Sequence, residues 1–114
     1  MLPSENQLKK EKDIERVFKK GKSFKEGFLV LKIINNDLEN SRFGFVVSTK
    51  ISKKASLRNK IKRRLRELVR ARLKKIKTGA DGLFVAVPGI EEKDFWEIED
   101  TMNKIFLRAK LFNG

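Results

Sequence analysis

The chain contains no cysteine and no histidine. Without cysteine there are no disulfides and no thiolate zinc sites. Without histidine the commonest general base and the commonest metal ligand are both missing. No activated-serine motif is present either, so nucleophilic catalysis by the chain has no support. The N-terminal stretch MLPSENQLKKEKD has no apolar core of the kind a secretory signal needs. No apolar run approaches the ~20 residues that cross a bilayer. The expectation is a cytoplasmic protein with no membrane partner.

What is present is charge, and it is concentrated. The 114 residues carry a net charge of +13 and a pI near 10.2. Between Lys50 and Lys77 stand fourteen Lys and Arg and a single acid, Glu67. The fourteen remaining bases are matched by fourteen acids, so one quarter of the chain holds all of the excess. A polyanion is the partner such a block suits. The hydrophobic content of 39% is enough for a core, so 38% charged residues need not mean disorder. At this length one domain, residues 1–114, is expected, with 1–7 as a flexible tail.

Periodicity supplies the elements. Ile14, Val17 and Phe18 fall at helical spacing within Leu8–Lys20, and Gly21 is a natural stop. Residues 22–26 suit a short extended piece. Phe28–Ile34 (FLVLKII) and Arg42–Ser48 (RFGFVVS) read as strands, and the polar link NNDLENS predicts an antiparallel hairpin between them. Ile61, Leu65, Leu68, Val69, Leu73 and Ile76 make one apolar stripe on a helix from about Ser56 to Lys77. Gly82–Val87 (GLFVAV) is a buried strand closed by Pro88-Gly89. A last helix from about Lys93 to Lys110 would bury Phe95, Met102, Ile105, Phe106 and Ala109, with Trp96 and Ile98 on its flanks. The result is an α/β (α+β) two-layer sandwich, a small sheet with helices on one face. If the strands flanking the basic helix pair in parallel, the general preference is a right-handed crossover.

Three groups of residues could carry chemistry. In the basic block, Asn59, Lys62, Arg63, Arg66 and Arg70 cluster on one flank beside the apolar stripe, at about 100° per residue. Arg58 projects in line with Ile61 and Leu65. Solvated helix faces usually mix signs. Eleven bases against one acid from Arg58 to Lys77 repel one another unless a polyanion lies across them. Arginine forks suit phosphates and base edges. Lys50, Lys53 and Lys54 precede the helix start, where free N–H groups also favour anions. A membrane-surface helix is the competing reading, but the stripe is already accounted for as a core face. Among the aromatics, Phe18 and Phe28 are candidates for an apolar cleft suited to unstacked bases, with core packing as the alternative. The acids Glu91, Glu92, Asp94, Glu97, Glu99 and Asp100 gather near the start of the last helix. There they stabilise its dipole, and nothing shows the convergence that two-metal chemistry needs. No catalytic residue and no metal ligand is assigned.

The segment Arg58-Asn59-Lys60-Ile61-Lys62-Arg63-Arg64-Leu65-Arg66-Glu67 closely resembles the RNR signature of the bacterial ribonuclease P protein family. DIERVFKKG, RFGFVVSTK and GLFVAVPG stand in that family's order, so the resemblance covers nearly the whole chain. It implies an αβββαβα fold with a left-handed crossover through the basic helix, in place of the right-handed preference. It further implies partnership with a catalytic ribonuclease P RNA that cleaves 5′ leaders from precursor tRNA using its own Mg²⁺, with no cofactor on the protein and no DNA partner. Carried over by position, Arg58, Asn59, Lys62, Arg63 and Arg66 would meet RNA; Lys60 and Arg70, with Lys50, Lys53 and Lys54 of the basic loop, complete the expected RNA-binding set. Ile14, Phe18, Phe28, Leu31 and Ser48 would line the leader cleft. Ile14 stands where relatives often have Phe, Leu31 where some have Tyr, and Thr49 where many have Lys. Glu5 and Gln7 occupy a region where relatives often carry Arg. Two other readings remain: a small basic ribosomal or ribosome-assembly protein, and a protein-only nuclease.

Overall fold

A computed structural model describes residues 2–113. Its elements are α1 (Glu11–Lys20), β1 (Lys22–Glu26), β2 (Leu29–Asn35), β3 (Arg42–Val46), α2 (Ala55–Arg72), β4 (Ala80–Ala86) and α3 (Phe95–Arg108). The architecture is mixed α+β, with one four-stranded sheet in the order β1-β2-β4-β3.

The sheet corrects the hairpin expected between Phe28–Ile34 and Arg42–Ser48. β2 pairs instead with β1 through a turn at Gly27-Phe28, and Gly27 takes the left-handed φ of 52° that such turns favour. β4 lies between β2 and β3, antiparallel to the first and parallel to the second. β4 is apolar enough to be buried on both faces, and only a central position buries both. The polar link 36–41 therefore passes across the end of β4. It is held there by Asn36 N–H to Gly79 O at 2.9 Å and Ser41 Oγ to Lys77 O at 2.6 Å.

The helices also divide differently from the expectation of one covered face. α2 and α3 pack on one side, where Ile61, Leu65, Leu68, Met102 and Phe106 meet Leu29, Leu31, Phe43 and Phe84. Phe106 sets its edge against Phe84 at 5.7 Å and against Phe43 at 6.1 Å. Gly82 permits the Phe43 ring to close in, since a Cβ there would lie 2.9 Å from it. α1 takes the other side of the sheet. Val17 and Leu8 bury against Leu83, with Ile14, Ile34, Val46 and Val85 around them. On α3, Ile98 belongs to the core and Phe95 does not; Phe95 stacks edge-on with Trp96 at the helix start.

Two segment boundaries change as well. α2 stops at Arg72 rather than near Lys77, and a 3-10 turn follows at Leu73–Lys75. Ile76 must be extended to pair with Phe112, fixed by Asn113 N–H to Lys75 O and Lys77 N–H to Leu111 O, both 2.7 Å. Residues 2–7, expected as a flexible tail, pack instead. Leu2 is only 2% exposed, Leu8 N–H donates to Phe43 O at 3.0 Å, and Asn6 Nδ2 donates to Ser41 O at 2.8 Å. One buried leucine is worth ~1.5–3 kcal/mol, and the hydrogen bonds to Phe43 O and Ser41 O add to it.

α1 has a second tie. Asp81 of β4 is fully buried, and Arg42 grips it with Nε and Nη2 at 2.8 and 2.6 Å. The same guanidinium reaches Asp13 of α1 at 3.4 Å, and Asn36 Nδ2 donates to Asp81 at 2.9 Å. Hydrogen bonding to Asp81 raises the Arg42 pKa despite partial desolvation. Arg42→Ala strands a buried carboxylate and should cost ~3–5 kcal/mol. Asp13→Asn loses only a partly exposed partner and should cost ~1 kcal/mol or less. Urea midpoints of the two variants check this order, and equal losses would show that Asp81 does not need the arginine.

Candidate nucleic-acid interface

α2 carries the site because its stripe leaves the rest of its circumference free. Ile61, Leu65, Leu68 and Val69 are buried, which turns Asn59, Lys60, Arg63 and Arg70 into solvent. Lys62 and Arg66 are half-buried where the helix leans on β3. They line a cleft of about 280 Å³ with Leu8, Lys9, Phe43, Gly44 and Phe45. Among the described residues, no cation from Lys50 to Arg70 has an ion-pair partner. Arg72 shows the contrast. Its guanidinium is committed to Glu99 at 2.7 Å, Asn103 at 2.7 Å and Leu68 O at 2.9 Å.

The start of α2 adds to the field. Lys54 occupies the capping position and no side chain caps it, and the first turn contains no acid. Its free N–H groups and the positive end of the helix dipole adjoin the loop that carries exposed Lys50, Lys53 and Lys54. Ile51 anchors this loop in the core. Arg58 does local work, since its Nη1 donates to Ser52 O at 2.8 Å and closes the loop onto the helix. That bond accounts for its position in line with the apolar stripe, and it leaves the other guanidinium donors available.

The five residues of the candidate cleft separate. Ile14 and Phe18 lie on α1, over the second face of the sheet. Phe18 is 44% exposed, and Lys32 Nζ sits 5.4 Å from its ring centre. Ser48 is exposed just beyond β3, where its Oγ accepts from Lys50 N–H at 3.3 Å. Leu31 and Phe28 are corrections. Leu31 is 0% exposed and packs toward α2 and α3, on the opposite side from α1. Phe28 lies in the β1–β2 turn against that same core, with Lys93 Nζ 5.7 Å from its ring. Alternation explains Leu31, since 29, 31 and 33 point one way and 30, 32 and 34 the other; Phe28 precedes the strand, and the turn brings its ring to the core side. Lys32 is the residue that sequence reasoning missed. It is the one charge in FLVLKII, and it marks the face that was not core.

The acids stay in structural roles. Asp94 and Glu97 form a reciprocal cap at the start of α3, and Glu99 is held by Arg72. Among the described residues no three acidic side chains are placed to share a metal ion. No described helix is long and apolar enough to cross a membrane.

Comparison with known proteins identifies the family. A family profile described as ribonuclease P matches residues 2–110. The ribonuclease P protein component of Alkaliphilus metalliredigens is 37% identical over 112 residues, covering 98% of this chain and 100% of that protein. This chain belongs to the ribonuclease P protein family. The solved structure of the Staphylococcus aureus RNase P protein superposes with a TM-score of 0.87 at 31% identity, over 95% of this chain and 98% of that one. The RNase P protein from Thermotoga maritima gives 0.82 at 30% identity, over 95% and 98%. Family membership gives the chain an RNA partner, and α2 carries a run of cations without ion-pair partners among the described residues.

If Arg63 and Arg66 make forked contacts to RNA, alanine at either should weaken binding by ~1–3 kcal/mol. Lys93→Ala, outside α2 and paired with Glu97, is the control. Titrations showing equal effects at all three positions would reduce the basic flank to a solvated surface.

Proposed function

We propose that this chain is the protein subunit of ribonuclease P, in which it docks the catalytic RNA and holds the 5′ leader of precursor tRNA during 5′-end maturation. The observation that carries this reading is the unpaired basic flank of α2, rigidly mounted on a core stripe, in a protein without a catalytic constellation. Lys62, Arg63, Arg66 and Arg70 would neutralise RNA phosphates and release their counterions. Asn59 would add a neutral donor and acceptor for base edges or sugars. The uncapped start of α2, with Lys50, Lys53 and Lys54, would hold a further phosphate. The leader would lie over the second face of the sheet, with a base on Phe18 beside Ile14 and Lys32.

Hydrolysis would fall to the RNA. Mg²⁺ is the cation the resemblance implies, and the carboxylates of this chain do not fit a site for it. Asp81 is gripped by Arg42, Asp94 is a helix cap and Glu99 is paired. The reading therefore leaves Mg²⁺ to RNA phosphates and gives the protein the work of binding and positioning in the cytoplasm, where tRNA precursors are found. Cations of the protein would take over part of the phosphate screening that Mg²⁺ otherwise supplies, so less Mg²⁺ would be needed to hold RNA and substrate together.

Reconstitution tests the assignment. The chain added to ribonuclease P RNA should restore precursor tRNA cleavage at low Mg²⁺, where the RNA alone is slow, and the gain should fall steeply as salt rises. No stimulation, together with ribosomal RNA as the species that copurifies, would move the protein to ribosome assembly. Within the active complex, Phe18→Ala should cost ~1–3 kcal/mol of affinity for leader-bearing tRNA and none for mature tRNA. An equal loss for both substrates would take the leader off α1.

A further inference from the structure

The C-terminal part of the basic block has cations that the RNR flank does not use. At about 100° per residue, Arg64 and Ala71 lie on a flank apart, with Glu67 between them and the Asn59–Arg63 side. That flank runs down to a groove of about 720 Å³ between the end of α2, the following turn, α3 and the C-terminal segment. Ligand pockets in proteins commonly measure about 300–1,000 Å³.

Its chemistry is defined. Lys74 and Lys75 stand on the rim, both exposed and without an ion-pair partner among the described residues. The lone acid of the lining, Glu99, is neutralised by Arg72, so the groove keeps a net positive charge. Leu107 and Phe112 supply the apolar surface. Leu107 is 64% exposed, and Phe112 is braced from behind by Phe106 at 5.3 Å. One exposed leucine alone means little. Here it stands beside an aromatic ring, two free cations and the amide of Asn103, whose Oδ1 is taken by Arg72 while its N–H donors remain. The wall is preformed, because the backbone bonds linking Lys75 and Lys77 to Asn113 and Leu111 fix the C-terminal segment against the turn.

We propose that this groove is a second RNA site, which takes a single-stranded segment with one base on Leu107 and Phe112 and its phosphates at Lys74 and Lys75. Cationic rim, apolar floor and amide donors are what an unstacked nucleotide needs. The inference rests on the reading that α2 docks RNA, since the groove lies at the end of that helix and one assembly would present RNA to both. An acidic peptide could satisfy the lysines but would make little use of the aromatic floor, so RNA is the occupant argued for.

The absence of cysteine makes the test clean. A photo-crosslinker on Leu107→Cys is unique in the reconstituted complex of chain, ribonuclease P RNA and precursor tRNA. Asn59→Cys serves as the RNR-side control, and Glu92→Cys, on the acidic side, sets the background. RNA adducts are expected from 107 and 59 above the level at 92. In parallel, Lys74→Ala/Lys75→Ala should lower the slope of log affinity against log salt by about two, one for each phosphate that no longer meets a lysine. Adducts from 59 but not from 107, or an unchanged slope, overturn the groove and leave the family reading standing. Adducts from neither position overturn the docking of RNA on α2 itself. The same label in a cell lysate, giving a nuclease-resistant protein adduct in place of an RNA adduct, assigns the groove to an acidic protein and overturns the proposal.

Discussion

Repulsion among the cations of α2 is opposed by the burial of its apolar stripe, and the rest of the molecule is arranged around that contest. Ile61, Leu65, Leu68 and Val69 each contribute ~1.5–3 kcal/mol when removed from water, and all four are buried. Each like-charge pair on a solvated helix costs only a few tenths of a kcal/mol. Burial therefore wins, provided the stripe has a flat apolar surface to meet. Phe43, Phe84 and Phe106 provide it, packed ring against ring. A helix that would repel itself in isolation is held straight, and its charge is presented at fixed spacing.

The second face of the sheet is built on a smaller margin. Three buried residues, Leu8, Val17 and Leu83, form its cluster, against a much larger core beneath α2 and α3. The bond from Arg42 to Asp13, together with Arg16 Nη2 to Asn35 O at 2.9 Å, supplements that packing at one end of α1. Elements with little buried apolar surface open at lower cost than the core. If the leader lies on this face, as proposed, it would meet the part of the fold that yields most easily rather than the aromatic core. Lys32, drawn to the Phe18 ring, keeps a cation on that face whichever way the ring turns.

Much of this was legible in the sequence because it rests on local patterns. The stripe from Ile61 to Val69, the uncapped basic helix start and the buried GLFVAV strand all follow from periods of 3.6 and 2. What failed was non-local. Nothing in FLVLKII or RFGFVVS states that a third strand will lie between them, since strand order depends on which segment can be buried on both faces. Leu31 was misplaced for a related reason: in a run apolar at nearly every position, only Lys32 breaks the symmetry between the faces. Leu2 was invisible as core because its partners are far away in the chain. Ile76 fits the helical stripe equally well extended, and only the C-terminal segment that pairs with it decides between them.

The distribution of acids completes the argument about what kind of machine this is. The arginines that tie the fold together are each given a carboxylate: Arg42 has Asp81, Arg72 has Glu99, Arg108 has Glu26. Between Lys50 and Arg70 no such partner is supplied among the described residues, although acids are plentiful in the chain. Glu67, the lone acid of the block, is exposed on α2 and pairs with none of its described neighbours there. A protein that merely needed positive charge for solubility could scatter it and pair it. Withholding partners from one helix flank raises the free energy of the unbound protein, and binding a polyanion recovers it. Concentrating the carboxylates in caps and ion pairs also keeps them away from that flank, where they would repel RNA and compete with it for metal ions. In the complex proposed above, that placement of charge would suit the protein to binding, with hydrolysis falling to the RNA.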